Sequence, residues 1–326
     1  MNQPATREET TVPDIPTEDE VLRFIDTFSN WNRWGPEDER GTLNLISDEN
    51  RRAAAALIRL GRSVSCCWDI DSPPMQRYMI QTGQGLGDAD RLPAKGWANE
   101  DRLGTATDLI SFKTHGFLIT HLDALSHNFW DGHLYNGFPA ELVSSQYGAT
   151  RNAITAARDG IFTRAVLIDV PAHRGVPWLE PGEPVHRWDV EAILEDAGLD
   201  VGEGDAMLLR TGNGRRRLEL GDEAVSLPGG RAGWHASCLP FFHERGISMI
   251  GADTGQEVVP TGYDILRRPI NAVGIASMGL STLDNANFEP LSAACAEHKT
   301  SEFALSIAPI PFVGATGSPV NPIALF

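Results

Sequence analysis

The stretch THLDALSHNFWDGH, residues 120–133, carries an unusual density of side chains that can do chemistry. Its histidines and aspartates are His121, Asp123, Asp131, His127 and His133, and one more histidine, His115, lies just upstream. On a strand, residues two apart share a face, so an imidazole and a carboxylate at 121 and 123 can bind one divalent ion or form an acid–base pair. A polar loop with capping side chains is the plainer alternative.

A turn after this strand would bring His127 back over the same pocket, because it follows Asp123 by four residues. If the strand spans 116–123, Phe117 and Ile119 share the face of His121 and Asp123. Aromatic side chains follow, and apolar walls with a few convergent polar groups are typical of ligand sites. We therefore predict substrate contacts from Phe117, Ile119, Phe129, Trp130, His133 and Tyr135, although a solvated loop position is the more ordinary role for a histidine such as His133.

The surrounding elements alternate between helix and strand. Thr17 and Glu20 form a capping box before a helix, and a second helix follows Ser47. Apolar runs predict strands at RAVLIDV, DAMLLRT, GISMIGADT and 280–284. We predict one α/β domain over 31–326, preceded by an N-terminal arm and helix over 1–30. The Gly-rich segment 83–104 has the composition of a lid over a site.

Composition limits the classes of partner. The net charge of −17 repels nucleic acid and anionic membrane, and it favours a neutral or cationic small molecule. The four cysteines form no metal-binding pattern, which suits a reducing compartment. The first 20 residues have no apolar core of a signal peptide, and the chain has no apolar run of membrane-spanning length. We expect a cytoplasmic protein.

Other polar residues have weaker signals. His235 and His243 flank Pro240, which disfavours one continuous helix and favours structural roles. Asp253 ends a buried strand, where either a site carboxylate or a turn cap is expected. The triplet at 215–217, Arg215, Arg216 and Arg217, is interpreted as a solvated loop.

The segment FLITHLDALSH, residues 117–127, resembles the HxGTHxDxPxH signature of the cyclase family that includes bacterial kynurenine formamidase and isatin hydrolase. Four further segments are similar to family sequence: WGPEDERGTLNLI, WDGHLYNG, IGADT and GSPVNPIALF. The resemblance covers residues 30–326. It implies a swivelling β/β/α fold that oligomerises, here as a homodimer or homotetramer. It also implies hydrolysis of an amide or a strained cyclic amide with zinc or manganese, the metal bound by signature histidines and aspartate, and acid–base catalysis by the last histidine.

This chain departs from the family pattern at several ligand positions. Phe117 replaces the first histidine of the signature, Ile119 replaces another that many relatives carry, and Asn271 replaces a third. Asp284 corresponds to an acidic partner. His115 has the right strand parity to compensate, but on a fully extended strand it would lie about 20 Å from His121. A bend at Gly116 would be needed to bring it closer.

These departures lead us to expect a degenerate metal site with no tightly bound ion, or with His121 and Asp123 as the ligands if an ion does bind. His127 would be the general acid or base, His121 and Asp123 a dyad that polarises the substrate, and Asn271 and Asp284 substrate contacts. A substrate with its own nucleophile would then undergo ring closure or opening at an activated carbonyl, as suits secondary metabolism. Two alternatives stay open: a zinc- or manganese-dependent hydrolase of an amide, cyclic amide or lactone, with His115 or Asp284 as replacement ligands, and a non-catalytic binder of small molecules.

Overall fold

The computed structural model describes residues 15–70, 79–81, 109–226 and 229–326. The predicted lid at 83–104 and residues 1–14 of the predicted arm lie outside the described residues. Strands and helices alternate over the described chain, as the apolar pattern predicts.

The strands are β1 (Ser63–Ser65), β2 (Met79–Gln81), β3 (Leu109–Ser111), β4 (His121–Asp123), β5 (Val143–Ser144), β6 (Gly148–Ala149), β7 (Ile161–Asp169), β8 (Pro184–Val185), β9 (Ala206–Arg210), β10 (Gly233–Trp234), β11 (Met249–Ala252), β12 (Ser281–Asp284), β13 (Glu302–Ile307), β14 (Gly317–Pro319) and β15 (Ile323–Leu325). The α-helices are α1 (Glu18–Thr27), α2 (Asp48–Ala56), α3 (Val170–Arg174), α4 (Arg187–Ala197), α5 (Asn213–Leu220), α6 (Glu223–Ser226), α7 (Leu239–Glu244) and α8 (Glu289–His298). A π-helix spans Ile270–Met278, and short 3₁₀ turns cover Gly41–Leu45, Tyr135–Gly137, Ala140–Leu142, Ile154–Ala157 and Ala236–Cys238.

One curled sheet of nine strands organises the fold, in the order β1-β15-β13-β7-β9-β11-β12-β4-β14. Its centre is parallel, from β7 through β9 and β11 to β12, and the strands on either side are antiparallel. The parallel strands are buried on both faces, which explains their continuous apolar sequences. Because β4 runs antiparallel to β12, it begins where β12 ends. Ligands of open α/β sheets bind at that carboxyl edge.

Apolar layers cover the two faces of the sheet. One layer includes α4, α7, the π-helix and the apolar side of α1. Thr17 and Glu20 form the predicted capping box of α1, and Val21 is fully buried. The helix thus packs onto the body of the protein through Val21 and its apolar neighbours. Within the described residues, no helix has the length and apolarity needed to cross a membrane.

Two local predictions are wrong. The strand expected over 116–123 begins only at His121, because residues 114–119 form a series of bends. The arginines at 215–217 lie on α5 rather than in a loop. Arg217 stacks its guanidinium 4.2 Å from the centre of the Trp68 ring and pairs with Asp222, so contacts that are distant in sequence stabilise this polar helix.

Candidate metal and acid–base site

The candidate site lies at the edge where β12 ends and β4 begins. The strand register sets His121 opposite Asp284 and Asp123 opposite Thr282. Residues 121 and 123 face the same side, as strand parity predicts, and the Nε2 atom of His121 lies 3.5 Å from Oδ1 of Asp123. Both side chains are almost fully buried. The sheet therefore holds an imidazole and two carboxylates in one small volume.

Asp123 is the centre of this arrangement. His115 approaches the same carboxylate oxygen as His121, with Nδ1 2.9 Å from Oδ1. The other oxygen, Oδ2, accepts a hydrogen bond from the Thr282 hydroxyl at 3.3 Å and lies 4.0 Å from Nε2 of His127. The turn that follows β4, closed by a hydrogen bond from the His127 amide to the Ala124 carbonyl, brings this last imidazole back over the strand.

His115 reaches the site because the chain bends between residues 114 and 119. Its ring stacks on that of His127, with centroids 3.7 Å apart and planes within 6°. Its Nε2 atom lies 3.0 Å from the Thr316 hydroxyl. The ring also lies against the backbone of Gly317, where a Cβ atom would come within 2.7 Å of it. Only glycine therefore leaves room for His115 in this position.

The tautomer of His121 is fixed by the backbone. Its Nδ1 atom lies 2.8 Å from the carbonyl oxygen of Ile119, which can only accept, so Nδ1 carries the proton. The lone pair of a neutral imidazole is then on Nε2, which faces Asp123. This is the arrangement in which metal-binding histidines are commonly held.

The donor set fits a divalent cation. Nδ1 of His115 and Oδ1 of Asp123 are buried and, despite their separation of 2.9 Å, neither has a hydrogen-bond partner of acceptable geometry. Buried polar atoms without partners are rare and call for an explanation. Two groups, His115–Asp123–His127 and His121–Asp123–Asp284, each hold their ligand atoms within 4.8 Å of one another. Zinc and manganese accept this mixture of imidazole and carboxylate.

The pKa values of the Asp284 and Asp123 carboxyl groups are shifted in opposite directions. Burial raises the pKa of Asp284 to about 7, and the nearby Asp123 charge adds to the rise. Burial alone would also raise the pKa of Asp123, but the imidazoles around it outweigh that effect, so its pKa lies below the usual value. Burial lowers the pKa of His127 to about 4, against the opposing pull of Asp123. Like charges held this close favour a proton or a cation between them.

Gln256, in the loop that follows β11, supports Asp284. Its side-chain amide donates to Oδ1 of Asp284 at 2.6 Å and to the carbonyl of Leu283 at 2.8 Å. Gln256 is almost fully buried and its amide oxygen has no hydrogen-bond partner. The amide therefore fixes the orientation of the Asp284 carboxylate.

The predicted substrate contacts divide into three kinds. Asp284 belongs to the cluster itself. Ile119 is buried and contributes its carbonyl, as described for His121. The ring centre of Phe117 lies 5.0 Å from Cζ of Arg231. Asn271 lies in the first turn of the π-helix, where its backbone N–H donates to Oε1 of Glu257 at 3.0 Å.

The aromatic residues that follow β4 lie in different surroundings. Phe129 is exposed, and His133 binds the Asp131 carbonyl through Nδ1 at 2.8 Å. Trp130 and His133 border a cavity of about 190 Å³ together with Trp31. Tyr135 is fully buried and its hydroxyl donates to Asp38 at 3.0 Å. Its role as a substrate contact stays a prediction, and the ring is buried in this structure.

Sequence reasoning missed the supporting residues Gln256, Thr316 and Gly317, and it left His115 as an unresolved alternative. A signal for Gly317 was present, because the tail GSPVNPIALF is one of the segments that resembles the family. What the local pattern lacks is the contact between residues 115 and 317, which depends on the pairing of β4 with β14.

Comparison with known proteins places the chain in a family. The family model described as "Putative cyclase" matches residues 46–256, and the chain belongs to this family. A solved structure described as a novel cyclase is 29% identical, with a TM-score of 0.82, and the match covers 92% of this chain and 100% of that one. No curated protein matches the chain.

Isatin hydrolases share the fold at lower identity. Isatin hydrolase A from Labrenzia aggregata, solved with benzyl benzoate, is 17% identical with a TM-score of 0.55, covering 81% of this chain and 93% of that one. Isatin hydrolase A from Ralstonia solanacearum is 16% identical with the same TM-score, covering 84% and 95%. The fold resemblance implied by the sequence is thus confirmed at the level of a mixed α/β cyclase-family architecture.

Proposed function

We propose that this protein is a divalent-metal-dependent hydrolase that opens an amide, a cyclic amide or a lactone of a small molecule. The observation that carries the proposal is that two groups of potential ligands, His115–Asp123–His127 and His121–Asp123–Asp284, share Asp123 and contain buried atoms that lack hydrogen-bond partners. This set replaces the imidazoles that Phe117, Ile119 and Asn271 cannot supply. It favours the metal-dependent alternative over the metal-free expectation.

The residues would divide the work as follows. His115, His121, Asp123 and Asp284 would hold the cation, which when bound polarises a carbonyl oxygen and makes water easier to deprotonate. Thr316 and the Ile119 carbonyl orient the two imidazoles, and Gln256 orients Asp284. These contacts keep the ligands in place without rearrangement.

His127 is the best-placed group for proton transfer. Its side chain is 29% exposed, whereas those of His121 and Asp123 are almost fully buried. A neutral imidazole there can take a proton from the attacking water and return it to the leaving nitrogen or oxygen. The same groups, acting in the opposite direction, would close a ring.

Metal-independent ring closure is the second candidate, favoured by the non-ligating residues at 117, 119 and 271. The two candidates differ in their response to a chelator. Purified protein loaded with zinc or manganese should hydrolyse at least one of three probes: an N-aryl formamide, isatin or dihydrocoumarin. This turnover should be lost when the metal is chelated and should return when the metal is restored. Turnover that is indifferent to the chelator would contradict the proposal.

A matched pair of variants refines this test. His115→Phe removes a proposed ligand, whereas His133→Phe changes an exposed histidine whose Nδ1 binds only a loop carbonyl. We expect the first variant to lose bound metal and the second to keep it. Equal metal retention in both would remove His115 from the ligand set.

A further inference from the structure

Arg231 is a partly buried cation beside the candidate site, and Glu257 and Asp284 are the carboxylates whose charges act on it. Its backbone pairs with Val259 through two hydrogen bonds of 2.9 Å. Its side chain is partly buried, yet within the described residues it forms no ion pair, and its Nε atom is buried with no hydrogen-bond partner. Burying a charge is costly unless it is paired, so a guanidinium left in this state calls for a function.

The guanidinium is held in a fixed orientation. The Phe117 ring lies on one side, with its centre 5.0 Å from Cζ. The backbone of Gly255 is also close, because a Cβ atom there would be 3.4 Å from Cζ and 3.5 Å from Nε. A guanidinium that lies over an aromatic ring presents its N–H groups at its edge, the geometry that binds carboxylates in two-point fashion.

This cation adjoins the proposed metal site. Phe117 lies between His115 and His121 in the chain, and Asn285, next to Asp284, donates to the carbonyl of Gly116. Phe117, Asn285 and Arg231 line one small cavity. Burial lowers the pKa of Arg231, while Glu257 and Asp284 act in the opposite direction, so its charge and theirs are within interaction range.

A second arginine adds to the local charge. Arg268 is exposed and, among the described residues, has no ion pair within 4.0 Å; its charge acts on both Arg231 and His127. With a divalent cation balancing Asp123 and Asp284, the buried carboxylate of Glu257 can balance only one of the two arginines. The mouth of the site is then locally positive, although the whole chain has a net charge of −17.

We infer that Arg231, assisted by Arg268, binds a carboxylate that the substrate carries in addition to the bond that is cleaved. The substrate class is then a carboxylate-bearing amide, cyclic amide or lactone. This reverses the preference for neutral or cationic ligands that net charge alone suggests. The inference rests on the proposed function for the reaction, but the binding of the anion is measured without turnover.

The test compares benzoate with its neutral isostere benzamide by isothermal titration calorimetry, on zinc-loaded full-length protein. Benzoate should bind wild type at least about tenfold more tightly than benzamide, because a charge-assisted pair is worth that much. Arg231→Met should abolish this preference, Arg231→Lys should keep part of it, and Arg268→Met should reduce it by a smaller factor.

Arg245→Met is the matched control. Arg245 also stacks on an aromatic ring, 5.5 Å from the centre of Phe241, but it is paired with Asp200, and its substitution should leave the benzoate preference unchanged. Thermal melts establish that each variant is folded, and Arg231→Lys provides the test if the Met variant is not. Equal binding of the two probes by wild type, or an unchanged preference in folded Arg231 variants, would overturn the inference. Because binding and not turnover is measured, failure of the proposed hydrolysis would not alter this result.

Discussion

Two clusters of histidines in this protein differ in the groups that surround their rings. Around Asp123, three imidazoles meet carboxylates, and buried atoms have no hydrogen-bond partners. Around Ser237, His186 and His235 lie with ring centroids 4.4 Å apart, and the described residues provide no carboxylate ion pair to either ring. Here the Ser237 amide donates to Nδ1 of His235 at 3.1 Å, and its hydroxyl lies 3.2 Å from Nδ1 of His186.

The second cluster therefore has the features of a structural site. Burial lowers the pKa of His235 to about 4, so it remains neutral and accepts the hydrogen bond that caps a helical turn. This agrees with the structural role that its sequence predicts. Burial lowers the pKa of His127 in the first cluster and of His235 in the second, so a lowered histidine pKa does not by itself identify a functional residue.

Two buried carboxylates show the same contrast. Asp253 accepts hydrogen bonds from the amides of Thr211, Gly212 and Asn213 and from the Thr211 hydroxyl, at 2.7–3.1 Å. It is thus the turn cap that was one of its two expected roles. Asp123 is surrounded by imidazoles instead of amide donors. One oxygen of Asp123 is therefore left without a hydrogen-bond partner, whereas both oxygens of Asp253 accept hydrogen bonds from the scaffold.

The largest effect is expected from Asp123→Asn. The amide keeps the size of the side chain but loses the charge that all the neighbouring groups share, so bound metal should be lost and turnover should fall by about 10,000-fold, the upper end for one active-site group. Asp253→Asn is the contrasting variant and should lower the free energy of unfolding by about 1–3 kcal/mol while metal is retained. Elemental analysis and thermal melts measure both effects. A metal-loaded, active Asp123→Asn protein would erase the distinction between the two carboxylates.

A smaller loss is expected from His127→Ala. If this imidazole transfers the proton, turnover should fall by about 100- to 1,000-fold while metal content is unchanged. His133→Ala, at an exposed loop position, should cost far less. Steady-state kinetics on metal-loaded proteins compare the two. Near-wild-type turnover in His127→Ala would show that the group has no catalytic role.

Gln256→Leu tests the support of the site rather than its ligands. Removing the donor that orients Asp284 should weaken metal affinity by about 10- to 100-fold, the usual cost of losing an outer partner. Competition with a chromogenic chelator measures this affinity. An unchanged affinity would mean that Asp284 is held by the strand alone or is not a ligand.

The smallest catalytic effect is expected from His235→Ala in the second cluster. The unpaired Ser237 amide should lower the free energy of unfolding by about 1–3 kcal/mol, and turnover should stay within about twofold of wild type, since no proposed catalytic step involves this histidine. Denaturant titration measures the free energy of unfolding, and steady-state kinetics on the same preparation measure turnover. A large loss of turnover in a stable variant would make the second cluster functional as well.

The sequence predicted the part of the site that local rules control. His121 and Asp123 share a face because of strand parity, and His127 returns through a turn four residues later. His115 could not be placed, because the prediction assumed an extended chain from residue 116. Its position depends on bends at 114–119 and on the absence of a side chain at Gly317, about 200 residues away in the chain.

The fold was predictable where apolar runs were long. The strands β7, β9, β11 and β12 lie where their sequences indicate, since parallel central strands are apolar on both faces. The helix α5 was missed because its sequence, NGRRRLEL, is polar and stabilised by tertiary contacts such as Arg217 with Trp68. The order of the strands in the sheet follows from pairings that no local pattern contains.

The atoms around Asp123 that lack hydrogen-bond partners are proposed to be ligands of a cation. A crystal structure of protein loaded with zinc, with anomalous data collected at the zinc absorption edge, tests it most directly. We expect an anomalous peak about 2.0–2.1 Å from Nε2 of His121 and about 2.0–2.2 Å from carboxylate oxygens of Asp123 and Asp284, with Nδ1 of His115 moved to a similar distance as the fourth ligand. A map without a peak there, in which Nδ1 of His115 forms a well-aligned hydrogen bond to Asp123, would contradict it.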